Sequence, residues 1–233
     1  MSNNPTPEPG DFMRRHIHEK AIEEHLDRIQ HEFRQGFELL QKYPRSVTIF
    51  GSSMATPSNP WYGQAYELSK RIVTDTHYTV ISGGGPGIME AASKGAAEAG
   101  GTAVGLRINL PRERNANPYV TDGMDFQYFF ARKTMLAFAA EAYVFFPGGF
   151  GTMDELFSIM TLIQTCKVPR VPVILFGTKF WEPLREFISN VDLKEYHTVD
   201  AEDLDLFEIT DSIDRVVEII KKAPTSDWWK NIN

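Results

Sequence analysis

Two short stretches carry the residue types from which a reaction could be built. The first is Pro147-Gly148-Gly149-Phe150-Gly151-Thr152-Met153-Asp154-Glu155. It follows the apolar run Ala142-Tyr143-Val144-Phe145-Phe146 and leads into Leu156-Phe157-Ser158-Ile159-Met160, so glycines, a threonine and two carboxylates stand where a strand becomes a helix. Glycine lets the backbone turn sharply and approach a ligand with no Cβ in the way. The free N–H groups of a helix start favour an anion, and Thr152 adds a hydroxyl donor. A carboxylate beside a phosphate repels it, so Glu155 needs a separate purpose. Adjacent helix residues diverge by about 100°, so one of Asp154 and Glu155 can serve a site while the other meets solvent. The second stretch is Arg132-Lys133, which begins the nearly uncharged helical segment that continues through Thr134 to Ala140. A basic pair at a helix N-terminus opposes the dipole and invites an anionic partner.

The stretch Gly84-Gly85-Pro86-Gly87-Ile88-Met89-Glu90 matches Gly148 to Asp154 as G-G-x-G-x-M-acid, and Glu90 stands at the place of Asp154. One such loop is equally well read as a tight turn between strand and helix. Two at neighbouring strand ends point to a phosphate-bearing ligand. Neither loop reads G-x-G-x-x-G, and the third strand ends Arg107-Ile108-Asn109 without an acid for an adenosine ribose. No G-x-x-x-x-G-K-[ST] is present, so a mononucleotide fits better than NAD or ATP. The six histidines show no metal spacing, Cys166 has no C-x-x-C partner, and there is no G-x-S-x-G elbow. Neither a metal nor a cofactor is expected.

These residues need a scaffold that brings strand ends together. From Asp11 to Tyr43 an apolar stripe of Ile22, Leu26, Ile29, Phe33, Phe37 and Leu40 predicts a helix. Strands are predicted at 47–50, 78–81, 103–108, 125–130, 143–146, 171–176 and 207–210. Helices are predicted at 63–76, 87–99, 131–140, 153–165, 180–190 and 212–222. Strands alternating with helices imply an α/β, Rossmann-like, doubly wound parallel sheet with an N-terminal helical extension. Ligands of such sheets bind beyond the strand C-termini, where Gly51-Ser52-Ser53 and both glycine loops fall. The division expected is a disordered segment 1–10, a helical extension 11–43, a nucleotide-binding catalytic domain 44–223 and a tail 224–233. Trp228-Trp229 is expected to anchor that tail, and the loop from Pro111 to Pro118 to cover the site.

Composition bounds the partners. A net charge of -7 argues against a general nucleic-acid binder, which needs a basic face. The most apolar stretch, Leu136 to Phe146, is too short to span a bilayer and contains Glu141. The opening residues form no charged-then-apolar leader and there is a single cysteine, so a cytoplasmic protein is expected, with no membrane partner. The exposed stripe on the extension and two buried-looking helices, 131–140 and 153–165, suggest a homo-oligomer.

"SGGGPGIMEAA", "ARK" and "PGGFGTMDE", in this order, resemble the Lonely Guy family of nucleoside 5'-monophosphate phosphoribohydrolases, often mislabelled lysine decarboxylases. The resemblance covers about residues 45–190. It implies a catalytic pair at Arg132 and Glu155. It implies substrate contacts at Glu90, Lys133, Thr161 and the loop Gly148, Gly149, Phe150, Gly151 and Thr152. Ser52, Gly84 and Gly85, at the other strand ends, join the expected contacts. The substrate class expected is AMP or an N6-modified AMP such as a cytokinin riboside 5'-monophosphate, cleaved to free base and ribose 5-phosphate. The alternative is a carrier of nucleotide or molybdenum cofactor, for which the Arg132–Glu155 pair has no use.

Overall fold

The computed structural model describes residues 9–109 and 117–223, with side chains from residue 19 onward. The elements run α1 (Pro9–Gln41), β1 (Ser46–Phe50), α2 (Pro60–Thr76), β2 (Thr79–Ser82), α3 (Ile88–Glu98), β3 (Ala103–Ile108), β4 (Asp122–Phe126) and α4 (Phe129–Phe138). They continue β5 (Ala142–Phe145), α5 (Phe150–Gln164), β6 (Val173–Phe176), α6 (Thr178–Phe187), β7 (Glu208–Thr210) and α7 (Ile213–Lys222). Among the described residues the strands form one sheet of order β4-β3-β2-β1-β5-β6-β7, parallel at every pairing. The Rossmann-like α/β class expected from the alternation is the one observed.

Side-chain alternation along the strands makes the sheet two-faced. Phe50, Ile81, Val104, Leu106, Tyr143, Phe145 and Leu175 pack toward α1, α4, α5 and α6. Val47, Ile49, Val80, Ala142, Val144 and Ile174 pack toward α2, α3 and α7. Such runs, apolar on both faces, are what a parallel sheet covered by helices requires. β1 is flanked by β2 on one side and β5 on the other, so the chain winds outward in both directions from there. The crevice opened by that reversal lies at the C-terminal ends of β1 and β5.

Several boundaries move. The fourth strand is Asp122–Phe126 rather than 125–130, and the next helix begins at Phe129 rather than Ala131. Its sequence, Asp-Gly-Met-Asp-Phe, lacks an apolar run because β4 is an edge strand; its register comes from pairing with β3. α2 starts at Pro60, where Asn59 accepts a hydrogen bond from the N–H of Trp61 and proline occupies the first helical position. The helix expected over 180–190 is α6 followed by a π-helical stretch, Ile188–Glu195. α1 begins at Pro9, inside the segment expected to be disordered. Residues 1–8, 110–116 and the tail with Trp228-Trp229 lie outside the described residues. Among the described residues no helix is long and apolar enough to cross a membrane.

Candidate functional site

A cleft of about 360 Å³ opens at the predicted switch point. Its floor is the end of β1, from Phe50 to Met54, together with Gly83 after β2. One wall is the start of α5, Gly149 to Thr152 with Asp154 and Glu155; the other is α4, through Phe129, Arg132 and Leu136. Met89 and Ile108 complete an apolar corner. The N–H of Ser52 donates to Pro147 O at 3.1 Å, tying the exits of β1 and β5 together. Two larger clefts, of about 700 and 820 Å³, lie away from the glycine loops, around Arg170. Neither has a glycine turn or a helix N-terminus in its lining.

The α5 start has the geometry of an anion cradle. Gly149 is its N-cap, with extended backbone and no side chain to cap with. A Cβ added at Gly149 or Gly151 meets nothing within 4 Å, so the turn is open on the cleft. Gly148 is crowded by the side chain of Thr152, which holds that hydroxyl over the turn. The first N–H groups of a helix have no carbonyl one turn back and remain available to a ligand. Phe150, 96% exposed, stands at the rim.

The two carboxylates that follow diverge. Asp154 points outward and forms an ion pair with Lys133 Nζ. Lys133 also donates to Ser158 Oγ at 2.8 Å. Glu155 turns inward and is 8% exposed, and its Oε2 is buried with no hydrogen-bond partner among the described residues. Burial pushes its pKa up from 4.5 to about 7, against the pull of Lys133 and Arg132; Asp154 adds a further upward push. Arg132 comes in from the opposite wall. Its Nε donates to Leu106 O at 2.7 Å, and its guanidinium lies against Gly83, where a Cβ would collide with it.

Of the expected contacts, Arg132, Glu155, Ser52, Gly149, Phe150, Gly151 and Thr152 therefore meet around one cleft. The Ser52 hydroxyl accepts from the N–H of Met54 at 3.1 Å. Gly84, Gly85, Glu90, Lys133, Gly148 and Thr161 do not line it. Gly84 packs on Arg107 and Gly105. Glu90 accepts a hydrogen bond from Tyr62 Oη at 2.8 Å. Thr161 is exposed and its hydroxyl returns to Phe157 O. Sequence reasoning passed over Gly83, Met54, Ile108 and Phe129; Gly83 had a signal, as one of three consecutive glycines. Among the described residues no group of His, Cys, Asp and Glu could hold a metal ion.

A family model described as "Possible lysine decarboxylase" matches residues 89–220, more than half of the chain. The chain belongs to this family. Members of known name agree with the Lonely Guy resemblance. A cytokinin riboside 5'-monophosphate phosphoribohydrolase of Rhodococcoides fascians is 27% identical over 66% of this chain and 79% of its own length. The corresponding rice protein, LOG, is 28% identical over 62% of this chain and 60% of its own length. A crystal structure from a structural genomics programme, 28% identical, superposes with a TM-score of 0.58 over 76% of this chain and 99% of that one. The molybdenum cofactor carrier protein of Chlamydomonas reinhardtii, 22% identical with a TM-score of 0.57 over 77% of this chain and 97% of its own, shares the fold.

Proposed function

We propose that the protein is a hydrolase that splits the N-glycosidic bond of a nucleoside 5'-monophosphate, AMP or an N6-modified AMP, releasing free base and ribose 5-phosphate. The observation that carries this reading is Glu155: a buried carboxylate with an unpartnered oxygen, one helical turn from an open glycine cradle. The cradle, with Thr152, takes the phosphate. Arg132 orients phosphate or ribose from the facing wall. The apolar corner of Met89, Ile108, Phe129 and Leu136 accepts the base.

Cleavage develops positive charge on the ribose. A carboxylate at Glu155 stabilises that charge more in the transition state than in the ground state. It also takes the proton from the attacking water, whose oxygen becomes the new ribose hydroxyl while the base departs with the bonding pair. A carboxylate that ionises near neutrality suits this task. A pyridoxal decarboxylase needs a Schiff-base lysine, and among the described residues none lines the cleft. A carrier would leave Glu155 buried to no purpose.

The exposed Met54, Phe129, Phe130, Phe150 and Phe157 around the mouth support a homo-oligomer closing over it. Thr161, outside the cleft of its own copy, would reach substrate only from a second one. The reading further takes the protein as cytoplasmic. The test is chromatographic: purified protein is incubated with a panel of nucleoside monophosphates and free base is quantified. Free adenine from AMP, lost in Glu155→Gln, is the expected result; intact nucleotide throughout the panel would sink the proposal.

A further inference from the structure

α4 delivers Arg132 to the cleft, yet its own sequence does little to start it. Its N-cap, Tyr128, makes no side-chain capping bond, and its first turn holds no acid. Two cations, Arg132 and Lys133, stand near the positive end of the helix instead. The missing carboxylate comes from elsewhere in the chain. Glu32, on α1, is 8% exposed and spends both oxygens on the entry to α4: Oε1 accepts from the N–H of Gln127 at 2.7 Å, and Oε2 from the N–H of Tyr128 at 3.3 Å. Tyr128 O in turn accepts from the N–H of Arg132 at 3.1 Å. A backbone chain of hydrogen bonds thus runs from Glu32 through Tyr128 to Arg132.

α1 is fixed against α4 along its second half. Phe33 stacks on Phe130 with ring centroids 6.3 Å apart, and Phe37 meets Phe138 edge-on at 6.4 Å. Between them Gly36 admits Met135, whose Cγ would stand 2.6 Å from a Cβ there. His25 Nδ1 and Tyr128 Oη lie 3.1 Å apart. We propose that Glu32, from a helix outside the nucleotide-binding sheet, caps α4 in trans-element fashion and is a positioning residue for Arg132. This rests on the function proposed above for Arg132, and it makes the N-terminal extension part of the site's machinery.

The test uses the full chain and two readouts. One is the steady-state release of adenine from AMP. The other is the titration of the Glu155 carboxyl in the ligand-free protein, followed by carbon-13 NMR and assigned by its loss in Glu155→Gln. The charged and titratable groups facing Glu155 are Arg132 and Lys133 from α4, Asp154 from its own helix and Tyr143 from β5. Glu32→Ala should lower kcat about 10-fold or more with KM changed less than about 3-fold, since small misplacements of an orienting group cost that much. It should also raise the Glu155 midpoint, because the guanidinium that lowers it is no longer held in place. Glu32→Gln keeps one accepting oxygen and should recover part of both. Leu40→Ala, in the core two turns further along α1, should reduce melting temperature without moving Glu155.

If Glu32→Ala melts earlier yet Glu155 titrates as in the wild type and kcat holds, Glu32 is a stabilising contact and the proposal fails. Should Glu32→Ala not fold, Glu32→Gln decides by the same readouts. If wild-type protein releases no base, the hydrolase reading fails, while the titration arm still settles what Glu32 does.

Discussion

At the end of β2 the loop Gly84 to Glu90 is closed in by protein; at the end of β5 the loop Gly148 to Asp154 lies open on the cleft. Their sequences follow one pattern. Around the first loop, Asn117 donates from its N–H to Gly84 O at 3.1 Å and from Nδ2 to Gly85 O at 3.0 Å. The N–H of Gly84 is taken by Ser82 Oγ, and the N–H of Ile88 by Ser52 O. Gly84 and Gly87 have φ of 69° and 72°, and a Cβ at Gly87 would strike the backbone of Ser52 and Ser53. In the second loop, Gly149 and Gly151 have space on all sides. The first set of glycines exists so that protein can pack against it; the second exists so that something else can. The acids shared by the pattern are both engaged, Glu90 by Tyr62 and Asp154 by Lys133. The chemistry begins one residue further on, where one loop has Ala91 and the other Glu155.

The sharpest way to break this comparison is to remove the charge at that residue. Glu155→Gln should lower single-turnover release of adenine from AMP by about 10²-fold or more, with binding of the monophosphate held or improved. The same substitution should stabilise the ligand-free fold. A carboxyl whose pKa is raised from 4.5 to about 7 on folding binds its proton more tightly in the native state. Its stabilising contribution is full below about pH 4.5 and is lost as pH rises through 7, a swing of about 3 kcal/mol. Melting scans should therefore place Glu155→Gln well above wild type at pH 8 and near it at pH 5. In the same range kcat/KM of the wild type should climb as pH rises through about 7.

Next in size is the fold penalty at the closed loop. Gly87→Val adds a β-branched side chain at positive φ and a backbone collision, and should cost about 3 kcal/mol in denaturant unfolding. The matching change at the open loop, Gly149→Val, has neither problem. It should weaken monophosphate binding about 10-fold, the worth of one charge-assisted hydrogen bond, with little change in melting temperature. If the two valines cost the same stability, the open loop is an ordinary turn. Smallest of all, Asp154→Asn and Glu90→Gln should each change turnover less than about 3-fold, read in the same assay, because neither acid lines the cleft's reacting corner.

The order of elements was legible because apolar runs and helical stripes alternate without interruption from Val47 to Lys222. The second loop was legible because glycine, threonine and acid sit together in sequence. What escaped is set by contacts between distant segments. β4 is held by its pairing with β3 rather than by its own residues. Lys133 is drawn outward by Asp154, so of the basic pair Arg132 alone enters the cleft. The pattern shared by the two loops concealed their difference, since crowding around a backbone is not written in the loop itself. Glu32 looked like one more acid on the solvated face of a helix; its burial depends on where α4 begins.

The place of β1 has a kinetic consequence. Phe50 pairs with Phe145, and Ser52 N–H reaches Pro147 O, across two strand–helix units and β4 that lie between them in the chain. That long closure carries a large entropic cost and comes slowly compared with helix formation. During refolding from denaturant, far-UV ellipticity should return well before the capacity to bind nucleotide. Synthesis on the ribosome imposes the same delay, because the cleft has no second wall until the segment carrying Glu155 has emerged.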